Sequence, residues 1–431
     1  MNRLWLLLLL FAWPLAAEVR LTPASVAGLA GVAAGETVVL AAGVYPALRI
    51  EQPLNLRGEP GTVIDAGGQG HGLYIDAPGV RVQSLTIRNW GRDLGTLDAG
   101  IFISERGSGT EVAGVRLRGP GFGIWADRVS RIRFYDNDIE GDHSLRSQDR
   151  GNGIHLFNVS DSEISRNQIR HTRDGIYIDY SNHNRLIGNR LSELRYGIHY
   201  MYSNHNEVSG NHTHRTRTGY ALMQSRQLTV IGNISEQDEN YGILMNYITY
   251  SLIRGNRVSG AKANSRLLNP RGAEGKALLA YHAVGNEISG NWLGHSDLGL
   301  HMTAGSEQNR IFDNALVGNR TQVRYVSNRP QEWSLDGRGN YWSDYQGWDL
   351  NQDGLGDIAH EPNDGMDRML WQYPAARWLM NAPVVSLLRW VQQQFPVFKG
   401  PGVRDSFPLM ALPEGMNNRR SDEHYPLTAS Q

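Results

Sequence analysis

The sequence predicts an all-β protein, a right-handed parallel β-helix, from three regularities in its middle part. A unit that begins with glycine recurs every 22 or 23 residues, at Gly153, Gly175, Gly197, Gly219 and Gly242. Apolar and polar residues alternate after each glycine, which is typical of a strand with one buried face. An asparagine follows the glycine at an offset of 14 residues in almost every unit. One coil of short strands per unit, stacked along an axis, explains all three regularities.

Two positions in each unit are predicted to face the interior of the rod. The first is the alternating pair after the glycine, such as Ile154 and Leu156 or Ile198 and Tyr200. No helical period fits the residues that follow. Strand-like segments before Gly123 raise the expected total to about ten coils, a rod of about 45–50 Å. The second inward position falls eleven residues after the glycine and holds Ile164, Leu186, Val208, Val230, Ile253 and Ile288.

The asparagines at the fixed offset are predicted to be structural. Their amides can hydrogen-bond from coil to coil as a ladder, and asparagine tolerates a left-handed turn. Two longer steps between units predict loops inserted near His143–Arg150 and Lys262–Glu274. The ladder residues are Asn137, Asn167, Asn189, Asn211, Asn233, Asn256, Asn291 and Asn314.

Composition excludes two classes of function. The chain has 431 residues, with 42 lysines and arginines against 43 aspartates and glutamates, and a net charge of −1. A nucleic-acid-binding protein needs a basic excess, so we expect no nucleic-acid partner. The chain has no cysteine, which excludes disulfides, thiolate metal sites and a cysteine nucleophile.

The two ends of the chain differ from the repeats. A positively charged start, an apolar run from Leu4 to Trp13 and small residues after it predict a Sec-type signal peptide over residues 1–17. We therefore expect export to the periplasm, with residues 18–345 as the β-helix. Residues 346–431 lose the repeat and are expected to form a partly helical, partly looped appendage that caps the rod or docks on a partner.

Strand alternation also predicts which side chains leave the rod. Where Ile198 and Tyr200 point inward, His199 and Met201 point outward, and Met223 follows on the next coil. We expect the three outward side chains within about 5–7 Å of one another. One imidazole and two thioethers form a soft ligand set that selects Cu(I) over zinc, calcium or magnesium. His199, Met201 and Met223 are thus either Cu(I) ligands or ordinary surface residues.

A second choice for the metal is a pair of histidines one period apart. His183 and His205 stand in a repeated Ser-Asn-His-Asn motif and are expected to stack at one turn of the rod. Stacked neutral imidazoles can share a metal, but the same residues at a turn can also satisfy backbone groups. His212 and His214 fall on a different edge.

A third candidate site is the acidic loop at the start of the appendage. Asp349, Asn351, Asp353 and Asp357 occupy positions 1, 3, 5 and 9 of a calcium loop, with glycine at position 6. His360 stands at position 12, where such loops have a bidentate glutamate. The loop therefore either binds Ca²⁺ with an incomplete ligand set or is a plain acidic turn.

A polysaccharide lyase, epimerase or hydrolase acting on a groove of the rod is the alternative function. Such an enzyme needs carboxylates that converge with an arginine or a tyrosine base. Arg173, Asp174, Tyr177, Asp179 and Tyr180 lie together on one coil, but Asp174 precedes the turn glycine, a routine structural place for aspartate. A scaffold that never touches metal is the third alternative.

The tail carries the most specific motifs of the chain. From Gly339 it reads GNYWSDYQGWDLNQDGLGD, and Leu387–Met410 reads LLRWVQQQFPVFKGPGVRDSFPLM. Together with the export signal and carbohydrate-binding-and-hydrolase-like repeats, these motifs resemble the NosD family, the periplasmic maturation proteins of nitrous-oxide reductase. The resemblance covers nearly the whole mature chain, but it carries no metal motif over onto named residues.

The resemblance implies a copper-handling protein rather than an enzyme. Such a protein docks on the permease and ATPase of an ABC transporter and is thereby associated with the inner membrane. It receives Cu(I) transiently from a lipoprotein copper chaperone and passes it to the apo-reductase. The apolar tail would then either dock on the permease or only cap the rod. The candidate docking residues are Trp371, Trp378, Leu379, Met380, Trp390 and Phe395.

Overall fold

The three-dimensional structure is a computed structural model of the chain. It describes residues 18–263, 274–303, 305–326, 329–363, 383–384, 387 and 402–416. The predicted signal peptide, residues 1–17, lies outside the described residues. The described part is almost entirely β-strand and turn, with two short 3-10 helices at Val26–Gly31 and Ser147–Asp149.

The strands are short and follow one another through tight turns. The first coils contain β1 Glu18–Leu21, β2 Thr37–Leu40, β3 Gly43–Tyr45, β4 Leu48–Ile50, β5 Asn55–Gly58, β6 Thr62–Asp65, β7 Leu73–Ile75, β8 Arg81–Gln83, β9 Thr86–Arg88, β10 Ala99–Ile103, β11 Glu111–Ala113 and β12 Arg116–Arg118. The middle coils contain β13 Phe122–Asp127, β14 Arg133–Tyr135, β15 Asp138–Glu140, β16 Ile154–Phe157, β17 Glu163–Ser165, β18 Gln168–Arg170, β19 Asp174–Asp179, β20 Arg185–Ile187, β21 Arg190–Ser192, β22 Tyr196–Met201, β23 Glu207–Ser209, β24 His212–His214, β25 Thr218–Met223, β26 Thr229–Ile231, β27 Ile234–Glu236, β28 Tyr241–Asn246, β29 Leu252–Arg254 and β30 Arg257–Ser259. The last coils contain β31 Lys276–Tyr281, β32 Glu287–Ser289, β33 Trp292–Gly294, β34 Leu298–Met302, β35 Arg310–Phe312, β36 Ala315–Val317, β37 Thr321–Tyr325, β38 Gln331–Glu332, β39 Tyr341–Trp342 and β40 Val403–Arg404.

The strands stack into three long parallel sheets. Sheet A has 13 strands from β1 to β35, sheet B has 13 from β3 to β39, and sheet C has 12 from β4 to β37. Each middle coil contributes one strand to sheets C, A and B in that order. The predicted parallel β-helix is confirmed, but the estimate of ten coils was too low. The uncounted coils lie mainly before Gly123, where the strands do not keep the glycine period.

The interior of the rod is a continuous apolar core. Ile154, Leu156, Ile198 and Tyr200 have no exposed surface, as the alternation predicts. Burying these side chains in every coil supplies the main favourable term for folding. The second predicted inward set is also completely buried: Ile164, Leu186, Val208, Val230, Ile253 and Ile288.

The asparagine ladder is confirmed at the corner between sheets A and B. The backbone N–H and Nδ2 of Asn189 both donate to Asn211 Oδ1 at 2.9 Å, and the same Nδ2 also donates to a backbone carbonyl. The expectation that asparagine itself takes the left-handed turn was wrong. The left-handed residue is the one before it, such as Gly188 at φ 64° or Arg166 at φ 53°. This leaves the asparagine backbone N–H and side chain free to point together at the next coil.

Both predicted loops are inserted at one corner, between sheets B and C. One precedes β16 and contains the helix Ser147–Asp149, and the other precedes β31. Residues 264–273 of the second loop lie outside the described residues. The first loop is held by Arg150, which donates to the carbonyls of Leu145 at 2.9 Å and His171 at 3.0 Å. The strands β19, β22, β25 and β28 of sheet C lie between the two loops.

Residues 402–416 fold back onto the last coil. Strand β40 pairs with β38, and the completely buried Asp405 accepts hydrogen bonds from Asn340 N and Trp342 Nε1, both at 2.7 Å. Burial raises the pKa of the Asp405 carboxyl, and these donors oppose the shift. The segment therefore covers part of the C-terminal end of the rod.

Among the residues that the structure describes, no helix is long and apolar enough to span a membrane.

Candidate metal centre on the outer face of sheet C

The candidate ligands lie on the outer face of sheet C, where three columns of side chains run along the rod. The strand register sets equivalent residues of successive coils directly beside one another. Column 1 contains Asp174, Tyr196, Thr218, Tyr241 and Lys276; column 2 contains His155, Tyr177, His199, Ala221 and Leu244; column 3 contains Phe157, Asp179, Met201, Met223 and Asn246.

The predicted ligands His199, Met201 and Met223 occupy adjacent positions in columns 2 and 3. Met201 of β22 pairs directly with Met223 of β25, and His199 pairs with Ala221. Neighbouring strands lie about 4.8 Å apart, so the diagonal pair His199 and Met223 is also within side-chain reach. Ala221 has no exposed surface, so longer neighbouring side chains cover its methyl group. The three candidate side chains thus occupy three corners of a rectangle on the sheet, and the small side chain of Ala221 occupies the fourth.

His199 is more buried than the exposed ligand that we expected. Only 9% of the residue is exposed. The ring centroids of Tyr177 and Tyr196 lie 4.4 Å and 4.9 Å from that of the imidazole. Met201 and Met223 are half-buried. The imidazole of His199 points away from the core of the rod, and the rings of Tyr177 and Tyr196 on the outer face of sheet C shield it from solvent.

A buried carboxylate orients His199. Nδ1 of His199 lies 2.9 Å from Oδ2 of Asp174, and Arg195 donates to both carboxylate oxygens at 2.8 Å and 2.6 Å. Burial pushes the pKa of Asp174 upward, but the hydrogen bonds and charges of His199 and Arg195 outweigh burial and lower it. An ionised carboxylate only accepts hydrogen bonds, so Nδ1 carries a proton, and the neutral imidazole then has its lone pair on Nε2. His199 is thereby prepared to bind a metal through Nε2.

His155, two coils before His199 in column 2, has the opposite tautomer. Asn152 accepts from Asp174 N at 3.3 Å through Oδ1, so its Nδ2 faces His155 Nδ1 at 3.1 Å. Nδ1 of His155 is therefore the acceptor, and the proton lies on Nε2, which is buried without a hydrogen-bond partner among the described residues. Burial lowers the pKa of His155 to about 3. His155 stays neutral and presents no lone pair to a metal through Nε2.

Sequence reasoning missed Asp174, Arg195 and Asn152 as partners of the histidines. The signal that could have found Asp174 is the register itself. Asp174 pairs with Tyr196, three residues before His199 on the next strand. A carboxylate just before the glycine of one coil thus lies diagonally across from the histidine of the next.

The second-choice histidines stack as predicted, but away from His199. The rings of His183 and His205 are 5.0 Å apart and inclined by 8°. Both residues are exposed at the corner between sheets C and A. His212 and His214 lie on β24 of sheet B, with ring centroids 6.5 Å apart. The structure therefore brings together one histidine and two methionines, rather than a cluster of histidines.

A conventional metal cluster is absent from the described part of the chain. No three histidine, cysteine, aspartate or glutamate side chains there lie close enough to hold a metal ion.

The acidic loop is organised by its own backbone. The two carboxylate oxygens of Asp349 accept N–H groups of Asp353 at 3.2 Å and Gly354 at 2.9 Å. Asp357 Oδ2 accepts from Leu350 N at 2.7 Å, and Asn351 Nδ2 donates to Asp353 at 3.0 Å. Each of the four side chains thus has an oxygen that accepts a hydrogen bond from within the loop.

The residues considered for a polysaccharide enzyme lie on one coil but in different surroundings. Both oxygens of Asp174 are engaged by Arg195 and His199. Burial raises the pKa of Tyr177 to about 12, which makes it a poor base at neutral pH. Asp179 is half-buried beside Met201, and burial raises the pKa of its carboxyl. Tyr180 is exposed at the corner, and Arg173 completes the set on this coil. The candidate docking residues of the tail, from Trp371 to Phe395, lie outside the described residues.

Comparisons with known proteins agree with a copper-binding role. A family model described as "Periplasmic copper-binding protein (NosD)" matches residues 135–347, which include the candidate ligands. A "Probable ABC transporter binding protein NosD" of Pseudomonas aeruginosa is 57% identical over 378 residues, 87% of this chain and 88% of the relative. The protein of the same name from Stutzerimonas stutzeri is 55% identical over 379 residues, 87% of this chain and 86% of the relative.

Solved structures share the fold at low sequence identity. The Dettilon tailspike protein has a TM-score of 0.56 and 15% identity, covering 71% of this chain and 64% of that one. An alginate lyase, AlyF-OU02, has a TM-score of 0.52 and 12% identity, covering 79% of this chain and 89% of the enzyme. Because identity is so low, these likenesses describe the β-helix and not its chemistry.

Proposed function

Because the chain belongs to the NosD family, we propose that it is a non-enzymatic accessory protein for assembly of the copper centres of nitrous-oxide reductase. The family model is described as periplasmic and copper-binding, and the aligned relatives are named as ABC transporter binding proteins. The protein receives Cu(I), holds it transiently on the outer face of sheet C and passes it to the apo-reductase.

The observation that carries this proposal is the 2.9 Å hydrogen bond between His199 Nδ1 and Asp174. Carboxylates that hold one nitrogen of an imidazole in this way orient metal-binding histidines and increase their basicity. The free Nε2 belongs to the histidine that adjoins Met201 and Met223, and not to His155. One nitrogen and two thioether sulfurs suit Cu(I), and they need no thiol in an oxidising compartment.

The ligand set is suited to transfer rather than to storage. Three protein ligands leave one side of the metal open, so a ligand from another protein can attach before the first ones leave. His199 is fixed by Asp174, whereas the unbranched side chains of Met201 and Met223 can follow the metal. Arg195 balances the carboxylate charge, which keeps Asp174 ionised when copper arrives.

The partners follow from the family and from the order of transfer. A copper-donating lipoprotein chaperone supplies Cu(I), and the apo-reductase accepts it. The permease and ATPase of the ABC transporter hold the protein at the inner membrane, with the apolar tail as the docking segment. Replacing Trp371, Trp378 and Trp390 by serine keeps residues 402–416, which cover the end of the rod. It is expected to leave the rod folded and to abolish co-purification with the permease, and unchanged co-purification would contradict this role of the tail.

The test is an anaerobic titration of the mature protein with Cu(I) against a competing chromophoric chelator. Wild type is compared with the His199→Ala/Met201→Ala/Met223→Ala variant, and with His183→Ala/His205→Ala as a matched control. We expect one Cu(I) per wild-type chain and at least about 100-fold weaker binding by the triple variant, since removing a whole ligand set exceeds the 10–100-fold cost of removing one outer partner.

The control separates the two candidate sites. We expect His183→Ala/His205→Ala to bind like wild type, because its imidazoles lie at a different corner from His199. Loss of binding only in the control would move the metal to the stacked pair. If wild type binds no Cu(I), copper carriage is refuted, and a metal-free scaffold or a polysaccharide-active enzyme remains.

A further inference from the structure

Aromatic rings are concentrated at the corner between sheets C and A. Each middle coil has two left-handed residues there, three positions apart. Small or polar residues such as Asn158 and Asp161 fill these positions on the coil before the rings begin, and Gly285 fills one on the last coil that carries a ring. Between them, φ angles from 47° to 59° belong to Tyr180, Tyr202, Tyr247, His282, His183, His205 and Tyr250.

These tyrosines have an unfavourable backbone conformation, and their side chains are exposed to solvent. A bulky side chain at positive φ is less favourable than asparagine or glycine. Tyr202 is 41% exposed, Tyr247 48% and Tyr250 65%, so burial in the core does not explain them. Stacking of Tyr180 on Tyr202, at 5.1 Å between centroids, still leaves ring surface in contact with solvent. Aromatic side chains held outward in this way are characteristic of binding surfaces.

A break in the row of rings forms a cleft. Gln224 occupies the row between Tyr202 and Tyr247, which are therefore about 10 Å apart across two coils. The resulting opening has a volume of about 370 Å³. We call it the tyrosine cleft, and it is lined by Tyr202, Asn204, Gln224, Ser225, Arg226, Tyr247 and Thr249. An extended segment of another chain that ran between the two rings would lie about one strand spacing from each of them.

The tyrosine cleft adjoins the candidate copper ligands. Tyr202 directly follows Met201, and Gln224 directly follows Met223. A ligand from another protein can replace Met201 or Met223 only if that protein is held beside them. Tyrosine rings also make favourable contacts with thioether sulfur. The position of the cleft therefore fits a partner that brings its own methionine or histidine to the metal.

The charge of the cleft adds a second requirement for the partner. Within the described residues, Arg226 forms no ion pair; its backbone N–H is bonded to Asn204 at 3.0 Å. The other lining side chains carry no charge. An acidic side chain on the partner would form an ion pair with the Arg226 guanidinium. Charge pairs of this kind select partners and accelerate association.

We propose that the tyrosine cleft docks an extended, acidic segment of a copper-exchanging protein next to Met201 and Met223. This inference rests on the proposed copper carriage and adds the surface at which transfer occurs. The two tyrosine rings grip the segment, Arg226 pairs with its acidic side chain, and its methionine or histidine attacks the open side of the bound Cu(I).

The test compares binding of copper with its delivery, in full-length protein. The variant Tyr202→Ser/Arg226→Glu/Tyr247→Ser removes the rings and reverses the charge without touching the ligands. Arg131→Glu, an exposed arginine at the same corner four coils away, is the matched control. We measure Cu(I) affinity of the purified proteins and copper per molecule of nitrous-oxide reductase isolated from cells that carry each variant.

We expect the cleft variant to keep wild-type Cu(I) affinity within about twofold and to lower reductase copper at least about tenfold, as for loss of an interface hot spot. The control should match wild type in both. Unchanged reductase copper would overturn the inference, as would a parallel loss of affinity. Uronate oligosaccharides that bind wild type but not the cleft variant would also overturn it, because the cleft would then be a sugar site.

A photo-cross-linking residue at position 202 separates failure of this inference from failure of copper carriage. We expect it to form an adduct with the copper donor or with the apo-reductase, identified by mass spectrometry. If wild type binds no Cu(I) and this adduct still forms, docking stands and carriage fails. If Cu(I) binds and no such adduct forms, docking at the cleft fails alone.

Discussion

The asparagine ladder and the outer face of sheet C run along the same coils but follow opposite rules. At the ladder the same residue recurs, and Asn189, Asn211 and Asn233 bond one to the next with nearly identical geometry. On sheet C, column 2 changes from His199 to Ala221 in a single step. The repeated asparagine satisfies backbone hydrogen-bonding groups in every coil. A change of residue instead gives one coil a side chain with different chemistry. In a solenoid, the break in the pattern therefore indicates where function lies.

The ladder is expected to give the largest effect on stability. In Asn211→Ala, the N–H and Nδ2 of Asn189 lose their acceptor, and Leu186 O loses a donor. Leaving such buried groups unpaired should lower the free energy of unfolding by about 3 to 5 kcal/mol. Chemical denaturation measures it, with the exposed Gln168→Ala as the control expected within about 0.5 kcal/mol. Equal effects of the two substitutions would refute the structural role of the ladder.

Two buried aspartates extend the comparison to pH. Asp174 has Arg195 beside it and a lowered pKa, whereas Asp238 is surrounded by neutral donors, and burial raises its pKa to about 6. Hydroxyls of Ser235 and Thr216 donate to Asp238 at 2.6 Å and 2.7 Å. In the unfolded chain Asp238 loses its proton near pH 3.8, so between that pH and about 6 the folded state binds more protons.

The stability contributed by Asp238 therefore falls as pH rises from 4 to 6, by on the order of 2 to 3 kcal/mol, and is constant above pH 7. Asp238→Asn imitates the neutral carboxyl and should lack this slope. Denaturation of wild type and variant at pH 4, 5, 6 and 7 measures the difference. A variant whose stability changes with pH in parallel with wild type would show that Asp238 ionises normally.

On sheet C, a substitution is predicted to change the affinity for Cu(I). Asp174→Asn keeps the shape of the side chain but weakens the orientation and basicity of His199. We expect Cu(I) affinity to fall by about 10–100-fold, the usual cost of removing an outer partner of a ligating histidine. The matched control is Asn152→Ala, which acts on His155 and should change affinity by less than about twofold, because His155 presents no lone pair to the metal. A larger effect of Asn152→Ala than of Asp174→Asn would reverse the assignment of the two histidines.

The smallest effect is predicted for the acidic loop. Asp349 and Asp357 accept backbone N–H groups, and His360 stands where a calcium loop has its bidentate glutamate, so the ligand set for Ca²⁺ is incomplete. We expect millimolar Ca²⁺ to change the melting temperature by less than about 1 °C, since a ligand stabilises only in proportion to its occupancy of the folded state. A clear rise that disappears in Asp349→Asn would establish a calcium site.

The sequence predicts most of the fold because the repeat determines it directly. Gly153 to Gly242 set the coil length, and the alternation around Ile198 and Tyr200 identifies the side that is buried. The number of coils was underestimated because the strands before Gly123 are separated by irregular turns and do not share this spacing. The 22-residue period thus predicts which apolar residues are buried, but it does not predict coils that depart from that length.

The candidate site was only partly predictable. Register alone places His199, Met201 and Met223 together, and the structure gives that register. The tautomers of His199 and His155 depend on which polar group, Asp174 or Asn152, faces each ring. Such contacts arise from side-chain directions across a twisted sheet, which a period in one dimension does not specify.

The most direct test is copper K-edge X-ray absorption of the Cu(I)-loaded protein, wild type beside Met201→Ala/Met223→Ala. Copper carriage on sheet C predicts two sulfur scatterers and one imidazole in wild type, with both sulfurs lost in the variant. A spectrum with nitrogen ligands alone, unchanged in the variant, would contradict the site and place the metal on histidines elsewhere in the chain.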